Sequence, residues 1–91
     1  MDRTVKIIVS GRVQGVAFRY YTRQQALSIG VKGTVKNLPE GSVEIIASGP
    51  SDLISELIAW AHKGSPASRV TGVDVQEWGI KSDFDSFRIV R

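Results

Sequence analysis

Cysteine is absent from this 91-residue chain, which excludes a disulfide framework, a thiolate nucleophile and a Cys-ligated metal. Histidine occurs once, as His62, so a Ser-His-Asp arrangement would have to use it, and no serine is suitably placed beside it. No apolar run approaches the roughly 18–20 residues of a membrane span. The opening "MDRTVKIIVSGR" lacks the long apolar segment and small-residue cleavage site of a secretory signal. A soluble, cytoplasmic protein with no membrane partner is the expectation. Acid is missing from one long stretch: nothing between Arg3 and Pro39 is Asp or Glu.

What is present is lopsided. Residues 1–39 hold seven cations against Asp2 alone, while residues 40–91 hold five cations against eight acids, for a net charge of +3. Such asymmetry fits an anionic partner for the first half. A solvated basic face would look the same on charge alone. With 42% apolar residues and no linker, repeat or low-complexity tract, residues 1–91 read as a single domain. A chain this short buries only about 60–65% of its unfolded surface.

The patterning alternates between two periods. Residues 4–10, "TVKIIVS", place Val5, Ile7 and Val9 on one side, a strand signature. Residues 11–17 follow as a loop. Residues 18–29 then set Phe18, Thr22, Ala26 and Ile29 on one helical face, with Gly30 as the stop. Strands are expected at 31–37 and 42–48, joined through the turn residues of "LPEG". "GPSDL" opens a second helix, with Pro50 at its first position and Asp52 in the positive first turn. Its stripe is Leu53, Ile54, Leu57, Ile58, Trp60 and Ala61, and Gly64 ends it. Strands at 70–78 and, at an edge, 86–91 complete the chain.

The order β-α-β-β-α-β defines an α+β, ferredoxin-like two-layer sandwich, an antiparallel sheet with two helices on one face. Such a scaffold hosts enzymes, metal carriers and RNA binders, so function must come from a site. The stretch "GRVQGVAFRYYTR" supplies one candidate. It gathers Arg12, Arg19 and Arg23 around a helix start, where the backbone's own partial positive charge favours acids. Two glycines let the main chain approach a ligand closely, and converging amides at a helix start bind anions. Arg19 falls in the first turn, where its planar fork can take two phosphate oxygens. The segment is neither a Walker A loop nor a dinucleotide fingerprint. A surface arginine packed on the core is the bland reading of Arg19, and a turn residue that of Asn37.

"GRVQGVAFR" followed by "GTVKNLPEGSVEIIASG" resembles the acylphosphatase family. The family pattern G-x-V-Q-G-V-x-F-R, then G-x-V-x-N-x-x-[DE]-G-x-V-E, matches Gly11 to Arg19 and Gly33 to Glu44, and similarity runs over essentially the whole chain. One departure is Thr34, where the family often has Trp; it alters packing near the site. The resemblance implies hydrolysis of a carboxyl–phosphate bond, as in an acyl or carbamoyl phosphate, to carboxylate and inorganic phosphate. It implies phosphate binding by Arg19 with the backbone amides of Gly15, Val16, Ala17, Phe18 and Arg19. It also implies that Asn37 holds the attacking water, with no covalent intermediate. Inorganic phosphate would be product or inhibitor, and no cofactor or metal is expected.

The residue chemistry is compatible. The leaving carboxylate has a conjugate acid of pKa about 4, so departure needs no strong general acid, and the motif region contains no His, Cys, Asp or Glu from Gly11 to Arg19. An Asn amide can donate to one group and accept from another, aiming a water without taking its proton. Parallel first and second strands would bring Arg19 and Asn37 to one edge of the sheet. His62 reads as a helix-end residue, "DFD" at 83–85 as a solvated turn, Trp60 as core and Trp78 as half exposed. An RNA-recognition module shares the architecture. Base stacking would need aromatics on the central strands, which "TVKIIVS" and "SVEIIAS" lack, and this argues against a nucleic-acid partner. A non-catalytic binder of phosphorylated carriers is the third reading.

Overall fold

The computed structural model describes residues 2–78 and 84–91. Strand β1 (Asp2–Arg12) leads through a loop to helix α1 (Phe18–Ile29), then to β2 (Lys32–Asn37) and β3 (Val43–Pro50). Helix α2 (Ser51–Lys63), β4 (Arg69–Glu77) and the short β5 (Phe87–Ile89) follow. The five-stranded sheet has the order β4-β1-β3-β2-β5, with both helices on one face, as the two-layer expectation requires. The sheet is mixed rather than wholly antiparallel, because β5 runs parallel to β2 with Gly33 opposite Phe87. Asp83 of the "DFD" turn lies outside the described residues.

Alternation in the strands builds the core. Val5, Ile7 and Val9 of β1, Val35 of β2 and Val43, Ile45 and Ala47 of β3 are fully buried against Phe18, Ala26, Ile54, Leu57 and Ala61 of the helices. The opposite face is polar and carries Lys6, Glu44 and Lys36, with Glu44 within 3.7 and 3.9 Å of the two ammonium groups. α1 stops where its stripe stops: Gly30 takes a left-handed φ of 100° and donates to the Ala26 carbonyl, the C-terminal geometry glycine adopts without strain. Pro50 stands one residue earlier than expected, in extended conformation as the cap ahead of Ser51. Having no N–H, it leaves no donor unpaired at that junction.

Strand topology decides where the loops meet. β1 and β2 both pair antiparallel with β3, so they run in one direction, and β5 runs with β2. The chain therefore leaves β1, β2 and β5 at the same edge. β1 also outlasts its alternating segment. The register against β4 slips between Ser10 and Gly11, a bulge of the kind that re-aims a strand end. Gly11 is required there: a Cβ would stand 2.1 Å from the Arg69 carbonyl oxygen. The first glycine of the motif thus serves the sheet, and only Gly15 belongs to the loop.

Candidate active site

The loop at 13–17 hangs between two anchors. Val13 and Phe18 are each 1% exposed, and burying a side chain of this size stabilises by about 1.5–3 kcal/mol. The Phe18 ring also packs on Trp60 at a centroid distance of 5.6 Å. Val16 packs partly on the core, and its carbonyl accepts a hydrogen bond from the buried Ser65 hydroxyl at 3.1 Å. Gly15 and Ala17, between these anchors, are exposed. Both are left-handed, Gly15 with φ 73° and Ala17 with φ 59°, a conformation that costs a non-glycine residue roughly 1–2 kcal/mol.

This geometry leaves the start of α1 uncapped. Ala17 holds the cap position without a side-chain bond, and no acid occupies the first turn, where Ser, Thr, Asp or Asn would ordinarily accept from an amide. Among the described residues, no acceptor takes a hydrogen bond from the amides of residues 15–19. The Arg19 guanidinium likewise makes no hydrogen bond or ion pair with another described residue. Arg23 is committed elsewhere, its Nε donating to the Phe87 carbonyl at 3.2 Å. Arg12 is exposed on the end of β1 opposite Arg69. Of the three motif arginines, only Arg19 faces the cleft described next.

That cleft, of about 370 Å³, is lined by Gly15, Ala17, Phe18, Arg19 and Asn37. Val16 does not line it, since its side chain turns to the core. Asn37 ends β2 on the face shared with Val35, and its Oδ1 is buried with no hydrogen-bond partner. A buried acceptor left unpaired costs about 1–3 kcal/mol. Thr34 alternates to the opposite face of the sheet, between Ile46 and Arg88 in register. The Trp-to-Thr departure therefore falls behind the cleft.

The cleft also has walls that sequence reasoning missed: Val13, Tyr20, Ile89 and Arg91. Tyr20 follows Arg19 on α1, and Ile89 and Arg91 arrive because β5 ends at the same edge as β2. The signal for Tyr20 was its place beside Arg19 on α1, whereas Ile89 and Arg91 depend on the strand direction of β5. Among the described residues no Asp, Glu or His lines the cleft, and no three His, Cys, Asp or Glu groups cluster as a metal site would need. His62 is exposed at the end of α2, its Nδ1 3.0 Å from the Ile58 carbonyl oxygen. No helix among the described residues is long and apolar enough to cross a membrane.

Fold and cleft together define a class, the small βαββαβ domains in which the exit of the first strand forms a loop of unpaired amides under a helix start. The sequence profile of the family described as Acylphosphatase matches residues 5–89, and this chain belongs to that family. An acylphosphatase from Methylococcus capsulatus is 40% identical over 89 residues, 98% of this chain and 97% of that relative. The crystal structure of acylphosphatase from Bacillus subtilis superposes with a TM-score of 0.94 at 40% identity, covering 100% of both chains. A full-length HypF crystal structure in phosphate- and nucleotide-bound form matches at 26% identity and TM-score 0.87 over 12% of its length. Membership of the family supports a hydrolase acting on acyl phosphates.

Proposed function

We propose that this chain, as one domain, hydrolyses the carboxyl–phosphate bond of small acyl phosphates by direct attack of water on phosphorus. One observation carries the reading: Gly15, Ala17, Phe18, Arg19 and Asn37 line a single cleft, where the amides of residues 15–19, the Arg19 guanidinium and the buried Asn37 Oδ1 have no hydrogen-bond partner among the described residues. The amides of residues 15–19 and the Arg19 fork bind the phosphoryl oxygens, so that a dianion completes the cap that Ala17 cannot supply. Phosphoryl transfer needs charge stabilisation and in-line placement more than covalent help. The Asn37 side-chain amide, at the cleft wall, holds the attacking water and aims its oxygen at phosphorus.

The new P–O bond forms as the bond to the acyl oxygen breaks, and that bond's electron pair leaves on the carboxylate. The water's proton passes to a phosphate oxygen or to solvent, so no general base is asked of a cleft whose described lining holds no Asp, Glu or His side chain. This chemistry asks nothing of a metal. The polar sheet face offers a nucleic acid little, because Glu44 sits beside both Lys6 and Lys36. Incubation with benzoyl phosphate tests the proposal. Loss of the anhydride with release of phosphate, in buffer containing a chelator, is the expected result. Phosphate binding without turnover would instead make the protein a binder, and acid-stable phosphoprotein in quenched samples would overturn the direct attack.

A further inference from the structure

Gln14 is the one polar side chain of the loop that reaches out of it. Its Nε2 donates to the Leu38 carbonyl and to the Ser42 carbonyl, each at 2.8 Å. Both acceptors belong to the turn that follows Asn37. Within that turn Leu38 N–H donates to Ser42 O at 2.9 Å and Gly41 N–H to Leu38 O at 3.1 Å, so Gln14 closes the turn from outside. Among the described residues, these are the only hydrogen bonds between the loop at 13–17 and the turn at 38–42.

Asn37 needs such a clamp. Its Oδ1 has no partner, so its place is set through its backbone, which pairs with Val43 directly across the turn. The loop needs it less, being held by Val13, Phe18 and the Ser65 bond to Val16. Resting on the function proposed above, we infer that Gln14 is a positioning residue: it fixes the distance between the phosphate-binding loop and the Asn37 amide. A displacement of about 1 Å between attacking and reacting groups can cost about 10²-fold in rate. Loss of Gln14 should therefore lower turnover and spare phosphate affinity.

The test is a double-mutant cycle on benzoyl phosphate hydrolysis, with inorganic phosphate as competitive inhibitor. Gln14→Leu keeps the side-chain bulk and removes the donors; Gln14→Glu keeps the shape and places oxygens against two carbonyls. Each should lower kcat by roughly 10- to 100-fold while the inhibition constant for phosphate changes less than about threefold. In an Asn37→Ala background the same substitutions should change kcat by less than about twofold, because residues that act through one another are not additive. An unchanged kcat in a folded single variant would overturn the inference. So would a full effect surviving in the Asn37→Ala background, or a parallel loss of phosphate affinity. If the wild-type protein shows no turnover, the proposed function fails first, which is a separate outcome.

Discussion

The Ser65 hydroxyl donates to the Val16 carbonyl at 3.1 Å, tying the loop after α2 to the loop before α1 across 49 residues of sequence. The bond pulls a carbonyl of the amide-rich loop toward the core, away from any anion in the cleft. Ser65 is 3% exposed, so its removal leaves the Val16 carbonyl short of a partner. Ser65→Ala should lower stability by about 1–2 kcal/mol and weaken phosphate binding several-fold. Thermal unfolding with and without phosphate measures both.

Asn37 joins activity and stability with opposite signs. Its buried, unpaired Oδ1 is a cost the fold carries. Asn37→Ala should raise stability by about 1 kcal/mol, which for a domain of this size is a rise in Tm of about 4–8 °C. In the proposed mechanism the same change lowers kcat at least about 10²-fold with little effect on phosphate inhibition. A calorimetric scan beside the kinetic assay checks the pair.

Arg19 adds positive charge to a helix start that has no acid in its first turn. Arg19→Ala should therefore leave stability unchanged or raise it by about 0.3–1 kcal/mol at low salt. It should lower kcat/KM by roughly 10³-fold, the scale of an arginine that stabilises a transferring phosphoryl group. Arg19→Lys keeps the charge and loses the two-pronged fork, so it should recover only part of the loss.

Part of the acid sensitivity should arise at the far end of β1, at Glu77. The Arg3 guanidinium, hydrogen-bonded to Glu77, holds that carboxyl below the ordinary carboxylate range. Folded Glu77 thus binds its proton less readily than unfolded Glu77, and acidification favours the unfolded chain. The stabilisation is complete above the ordinary carboxylate range and disappears as pH falls through the lowered folded value. Glu77→Gln should lower Tm slightly at neutral pH, with the difference from wild type closing on the acid side. The effect is small because the pair is exposed. Turnover should be the same in both proteins.

Much of this molecule was legible beforehand, and for physical reasons. α1 was readable to the residue because Phe18, Thr22 and Ala26 keep helical spacing and Gly30 follows. The approach of Arg19 and Asn37 to one cleft followed from two strands running the same way. The direction of β5 was not readable: three residues give no periodicity, and its pairing with β2 rests on contacts across more than 50 positions of chain. Ile89 and Arg91 were missed for the same reason. Gly11 looked like a loop glycine because a bulge leaves no local signature, only a close approach to Arg69. Gln14 was hidden differently. Its partners are main-chain carbonyls, which no side-chain pattern reveals.

The most direct measurement is an amide-resolved NMR titration of the full chain with inorganic phosphate. Saturable shifts at residues 15–19 and at the Asn37 side-chain amide, abolished by Arg19→Ala, are the expected result. Saturable shifts confined to the open sheet face around Lys6 and Lys36, or none at the α1 start at concentrations that inhibit turnover, would contradict it.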